Sequence, residues 1–274
     1  MTEPLNEVHR AIDERPYTGD TMRVFALCIQ ERSARGCLAT PTKALASNNG
    51  AVNLAERLGH PFSLAFALLY QVVLYLFHRE PDVALRHAHE AEAFAVEQRL
   101  ALLLDPNILR GKAFLAQGAV ENALASVREG VAARRKTGWD LHLPYHLGIA
   151  SEVLGGAGDY ESAAAALAEA EMAIDASNER WWEAEIHRLK GVLLRSQGGV
   201  AQSESCFKRS IWIARQQQAN SLELRAATNL ARLWGEQGRR AEARDLLAPV
   251  YGWFSEGFGT ADLKEAKALL DELG

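Results

Sequence analysis

Gly155-Gly-Ala-Gly-Asp-Tyr-Glu-Ser-Ala163 is the stretch on which the fold turns. Its glycines suit the end of a helix, because glycine enters the left-handed conformation of a C-cap without steric cost. An apolar segment, about Pro144 to Leu154, precedes it, and a second helix-forming segment, about Tyr160 to Ala176, follows. The three parts read as helix A, a short turn and helix B.

The same phrase recurs along the chain. Thr40-Pro-Thr-Lys-Ala44, Glu80-Pro-Asp-Val-Ala84, Ala119-Val-Glu-Asn-Ala123, Asp159-Tyr-Glu-Ser-Ala163, Gly199-Val-Ala-Gln-Ser203 and Arg239-Arg-Ala-Glu-Ala243 end at positions 44, 84, 123, 163, 203 and 243. Five of the six end in alanine and one in serine, as expected where two helices cross closely. Gly118, Gly158, Gly198 and Gly238 recur just before the turn. Pro41 and Pro81 stand three residues before their alanines, in a first helical turn where a missing N–H does no harm. In the fifth unit Trp182, Ile186, Leu189 and Leu193 form one helical stripe, and Phe207, Ile211 and Ala214 another. No such helix pair buries its apolar face alone, so stacked neighbours must supply the core. Ala and Leu far outnumber Val, Ile and Thr in the 274 residues, which excludes a sheet-rich fold. The expected fold is therefore all-α: a right-handed α-solenoid of about six helix-turn-helix units of 40 residues, closed by a C-terminal helix.

The ends differ from the middle. Residues 1–22 read as a polar arm, 23–258 as the array and 259–274 as a capping helix. The first unit is weak, with Glu31, Arg32 and Arg35 in its helix A and Asn48-Asn49-Gly50 in its helix B. Pro249 is expected to disturb the last helix B. Thr260 is the expected N-cap of the final helix, with Leu263, Ala266, Leu270 and Leu273 on its apolar face. Cys28, Cys37 and Cys206 are odd in number and lack CxxC spacing, which fits a reducing cytoplasm. There is no signal-peptide pattern, and Phe62–Phe77 is too short and interrupted to span a membrane. A net charge of −5 argues against a nucleic-acid partner.

Gly111 with Phe114 and Ala123, and Ala231 with Trp234 and Ala243, resemble the tetratricopeptide pattern, although that repeat is usually about 34 residues long. Trp181-Trp182-Glu-Ala-Glu-Ile-His187, Gln216-Gln-Gln-Ala-Asn-Ser221 and Leu247-Ala-Pro-Val-Tyr251-Gly-Trp253-Phe254 are similar to the C-terminal repeat regions of bacterial multidomain proteins that carry a class III adenylate cyclase and a predicted NTPase. The resemblance runs from about Gly59 to the C-terminus. It implies an array that binds proteins or regulates attached catalytic domains, neither of which falls within these residues.

Catalytic chemistry finds little foothold. No GxxxxGK[ST] loop or GxSxG elbow occurs, and no strand precedes the glycine cluster at 155–158. His142 and His146 are four apart with Pro144 between them, and His87 and His89 point to different helix faces; all four read as surface or packing residues rather than zinc ligands. Cys206 reads as a buried structural thiol, and Arg134-Arg135-Lys136 as cations at a helix C-terminus. Of Trp181 and Trp182, at most one can face a groove. No metal or cofactor is called for, and the chain reads as non-enzymatic. The concave row of A helices remains as the candidate site. The spacing i, i+3, i+7 sets Asp105, Ile108 and Lys112 on one face, then Tyr145, Gly148 and Glu152, then Glu185, Arg188 and Val192, then Arg225, Thr228 and Arg232. Asp105, Lys112, Tyr145, Glu152, Glu185, Arg188, Arg225 and Thr228 are the candidate contacts for a protein or peptide. Pairing within the helices, as between Glu185 and Arg188, is the competing reading; a small-ligand sensor domain is the alternative function.

Overall fold

The computed structural model describes residues 41–100, 106–137 and 142–274. The expected arm at 1–22, helix A of the first unit with Glu31, Arg32 and Arg35, the thiols Cys28 and Cys37, and Asp105 lie outside the described residues. Every regular element among the described residues is a helix: α1 Pro41–Leu58, α2 Pro61–Phe77, α3 Pro81–Glu97, α4 Asn107–Ala116, α5 Val120–Thr137, α6 Leu143–Gly156, α7 Tyr160–Ser177, α8 Glu183–Ser196, α9 Val200–Gln217, α10 Asn220–Glu236, α11 Arg240–Gly252 and α12 Ala261–Leu273. The B helices α1, α3, α5, α7, α9 and α11 each begin three residues before the small residue of the sequence series. All six of those residues, Ala44, Ala84, Ala123, Ala163, Ser203 and Ala243, have no solvent exposure.

Close approach explains the pattern. A Cβ on Gly111 would lie 2.5 Å from a Val127 methyl carbon, and one on Gly191 would lie 2.6 Å from the Phe207 ring. The A-to-B turn is a single repeated motif. The amide of Gly118, Gly158, Gly198 or Gly238 bonds back three residues, and the next amide bonds back five, from Ala119 to Phe114, Asp159 to Leu154, Gly199 to Leu194 and Arg239 to Trp234. The four glycines have φ between 79° and 87°, as this helix ending requires. Asp159 then caps α7 by accepting from the Ser162 amide at 3.1 Å.

The chain divides into two compact units, one holding α1–α5 and the other α6–α12. In the first, Ala51, Ala55, Phe62, Phe66, Tyr70 and Leu100 share a core. Asn48 and Asn49, expected to weaken α1, instead tie it to α2: the Asn48 amide donates to the Ala67 carbonyl and Gln71 donates to Asn49. In the second, each B helix lies between its own A helix and the following one, and successive A helices also touch. Phe207 and Ile211 of α9 pack with Leu224, Leu230 and Leu233 of α10. Helix α11 does not break at Pro249; it runs on to Gly252, but ends after 13 residues where α7 and α9 have 18. A proline deep in a helix removes one i→i−4 bond, and the cost here is early termination. Helix α12 packs on α10 and α11, the position of a further A helix. Thr260 stands at its N-cap, yet its side chain makes no capping bond. Leu263, Ala266, Leu269 and Leu273 are its buried residues; Leu270 is only partly covered, so Leu269 takes the place expected for it. No helix among the described residues is long and apolar enough to cross a membrane.

Candidate partner-binding face

The A helices α6, α8, α10 and α12 form a row in the second unit, and most of the candidate contacts lie on it. Lys112 is on α4, in the first unit. Glu185 is the centre of the row, with only 1% of its side chain exposed. Arg188, one helical turn on, clasps its two carboxylate oxygens through Nε and Nη2 at 2.9 and 2.8 Å. The third arm of Arg188 donates to Asn229 of α10 at 3.0 Å. Arg225 of α10 approaches Glu185 at 3.6 Å and donates to Asp262 of α12 at 2.7 Å. One step further along the helices, Arg232 donates to Glu265 at 2.8 Å, and Arg195 pairs with Glu236. Arginines on one A helix thus reach acceptors on the next, and the row is laced by a ladder of charged bonds.

Burial fixes the strength of this ladder. Taken out of water, the Arg225 guanidinium would lose its proton more easily, but Asp262, Glu185 and Glu152 carry its pKa above the ordinary arginine value. Arg188 follows the same balance, burial opposed by Glu185 and Glu152. Geometry corrects the expectation that all the candidate residues face an open groove. Tyr145, Glu185 and Thr228 are buried. The Thr228 hydroxyl donates to the Leu224 carbonyl of its own helix at 2.7 Å. Arg188 and Arg225 are mostly covered and spend their donors on neighbouring helices. The intrahelical pair between Glu185 and Arg188 exists as the competing reading had it, but inside the protein rather than on a solvated face. What remains accessible on the row is Glu152, part of Arg188, Val192 at 37% exposure, Arg195 and Arg232.

At the N-terminal end of the row an aromatic cluster closes the surface. Tyr145, Trp181 and Trp182 are in mutual contact, with ring centroids 5.0 to 5.3 Å apart. Trp182 is buried and Trp181 partly so, in line with at most one of them facing outward. Glu179 organises the edge of the cluster. It accepts from the Trp181 indole at 2.6 Å, from the His142 ring at 2.6 Å and from the His142 backbone amide at 3.1 Å. His146 donates to the His142 carbonyl at 2.9 Å. Both histidines pack, and the acidic partner of His142, Glu179, stands 37 residues downstream, beyond the reach of local spacing. Among the described residues no three His, Cys, Asp or Glu side chains converge as metal ligands.

On the other side of α8, Lys190 donates to both oxygens of Glu171 at 2.8 and 2.9 Å. His187 and Cys206 lie near this pair. Burial pushes the His187 pKa down, against the pull of Glu171 and Glu183, and pushes the Cys206 thiol up, against Lys190. Cys206 is partly exposed rather than fully buried, and its raised pKa keeps it a thiol, not a nucleophile.

No family model and no curated protein matches the sequence. Among solved structures, that of a Rap protein complexed with Competence and Sporulation Factor matches 98% of this chain and 78% of its own, with a TM-score of 0.61 and 13% sequence identity. The fold is a tetratricopeptide-like helical repeat. At that identity the likeness concerns the path of the helices and not the residues on them. The tetratricopeptide-like arrangement is consistent with the order of contacts within the second unit, in which A helices form one row and each B helix sits behind two of them.

Proposed function

We propose that the chain is a non-enzymatic interaction module and that the accessible half of the A-helix row in the second unit receives a protein or peptide segment. The observation that carries this is the uneven burial of the row. Its N-terminal half is filled by Tyr145 and the two tryptophans, while Glu152, Val192, Arg195 and Arg232 stay within reach of solvent. An exposed apolar residue beside two arginines offers one contact for a side chain and charged donors for a carboxylate. The like-folded Rap protein was solved with a bound factor, which favours a binding role for this architecture. The resemblance of Trp181–His187 and Leu247–Phe254 to repeat regions of bacterial signalling proteins favours a regulatory setting in the cytoplasm, with catalytic domains attached or nearby. Nucleic acid, membrane and cofactor play no part in this reading.

The test uses the immobilised chain and a source lysate, with captured proteins identified by mass spectrometry. The double variant Val192→Asp with Arg195→Glu should lose a specific captured protein by ten-fold or more. Arg244→Glu, on the exposed face of α11, should retain it. Equal capture by all three chains would move the interface off this row.

A further inference from the structure

Helix α12 is the A helix of a further repeat with one side rewritten. Ala266 and Leu273 stand 40 residues after Ala226 and Leu233 of α10 and are buried as they are. On α10, Leu224, Ala227, Thr228 and Ala231 are all buried. Their counterparts in α12 are Lys264, Lys267, Ala268 and Asp271, all exposed. An A helix such as α10 is gripped by the preceding B helix, its own B helix and neighbouring A helices; among the described residues α12 packs on α10 and α11. In a repeat protein stability is a local sum, so the element with the fewest neighbours opens first.

The slot beneath α12 is specific. Leu263, Ala266, Leu269 and Leu273 fill it, and a Cβ on Gly235 would sit 3.2 Å from the Leu273 side chain. Arg225 and Arg232 line it and hold Asp262 and Glu265. The connection is unlike the other turns of this unit. Trp253–Thr260 spans eight residues between α11 and α12, where the others span two to five. Gly257 there has φ 80°. Gly252 and Gly259, at its two ends, have open space where a Cβ would go, so packing does not demand glycine at either place. Trp253 and Phe258 in the same stretch are 55% and 48% exposed.

We propose that two copies of this chain exchange α12 reciprocally, each inserting its last helix into the other's slot, with Trp253 and Phe258 buried between the two connections. The occupant is a second copy because the slot's apolar spacing and its two arginines match α12 itself, and the connection is long and glycine-rich enough to redirect it. Exchange of an identical element is a low-cost route to a two-fold dimer. A helix tethered to its own slot competes at an effective concentration of roughly millimolar, so the dilute chain is a monomer and the dimer grows with concentration. This inference goes beyond the groove reading and does not rest on it.

The experiment is a charge exchange on the full chain. Arg232→Glu places two carboxylates together when α12 is at home, and Glu265→Arg places two guanidiniums together. Both positions are about one-third exposed, so neither change threatens the repeats, and circular dichroism checks that. Reciprocal exchange between the two variants restores an opposite-charge pair in both slots. Light scattering of the equimolar mixture should show a heterodimer at least ten-fold tighter than either variant's homodimer. A mixture that stays monomeric, or that self-pairs as readily as it cross-pairs, overturns the proposal. In a second measurement, Trp253→Ser should weaken the wild-type dimer ten-fold or more with no change in monomer melting; an unchanged dimer would overturn the burial of the connections.

Discussion

The two sides of an A helix in the second unit follow different rules. Toward its B helix, α8 presents Gly191 against the Phe207 ring, and the small residues Ser151 and Ala231 hold the same phase on α6 and α10. Toward the neighbouring A helices it presents Glu185 and Arg188, and the equivalent places hold Tyr145 and Gly148 on α6 and Arg225 and Thr228 on α10. The first face is fixed by volume: a residue of the wrong size collides. The second is fixed by charge pairing between successive repeats, so residue types change as long as partners change with them. Volume repeats in the sequence, whereas pairing does not, because a guanidinium in one repeat answers a carboxylate in the next.

Substitutions that attack each face in turn test this contrast. On the apolar side, Phe207→Ala should cost about 3–5 kcal/mol in chemical denaturation, because the ring has no exposure and no neighbour can slide into the space beside Gly191. On the charged side, Glu185→Gln should cost about 3 kcal/mol, near the lower end for breaking a buried ion pair, since Arg225 keeps Asp262. Equal losses from Glu185→Gln and from a substitution at the solvent-exposed pair Lys267 with Asp271 would show that burial of the ladder contributes nothing.

Ser203 offers a smaller and opposite effect. It alone among the six residues of the repeat phase carries a hydroxyl, and that oxygen is buried with no hydrogen-bond partner. Replacing an unsatisfied buried hydroxyl by hydrogen relieves desolvation without leaving a cavity of consequence. Ser203→Ala should therefore raise stability by about 1 kcal/mol. A loss instead would mean that the hydroxyl is satisfied and that the apolar face tolerates more than volume alone.

The apolar face is legible in the sequence itself. The starts of helices B, the left-handed glycines at 118, 158, 198 and 238, and the stripe from Trp182 to Leu193 all follow from period and residue size. The reverse turns are not. Gly59, Arg99, Asn178 and Gln218 all take positive φ, but only one is glycine, so side-chain identity gives no common mark and tertiary packing of Leu100 and Ala219 must impose the conformation. The ladder is half legible. The i, i+3, i+7 spacing places the trios on the correct helix side, but charged residues read as solvent-facing until their acceptors are known. Asn229, Asp262 and Glu265 lie 41, 37 and 33 residues beyond Arg188, Arg225 and Arg232. An acceptor offset near the repeat length is the signal that would have found them.

His187 gives the finest test, because it sits on α8 between the two regimes. Burial disfavours its charged form and outweighs the carboxylates of Glu171 and Glu183, so its pKa in the folded chain lies below the ordinary 6.5. The unfolded chain then binds more protons than the folded one wherever the pH lies between these two values. Stability is complete above about pH 6.5, the ordinary histidine value, and is lost as the pH falls from there toward the folded pKa. A series of denaturation midpoints from pH 7.5 downward should show this decline, shallow because the ring is only partly covered. His187→Gln should flatten it, keeping a polar group of similar size without the titration. An unchanged slope in that variant would assign the decline to the carboxylates of the ladder, and the charged side of the row would then carry the pH response instead of the margin where the two faces meet.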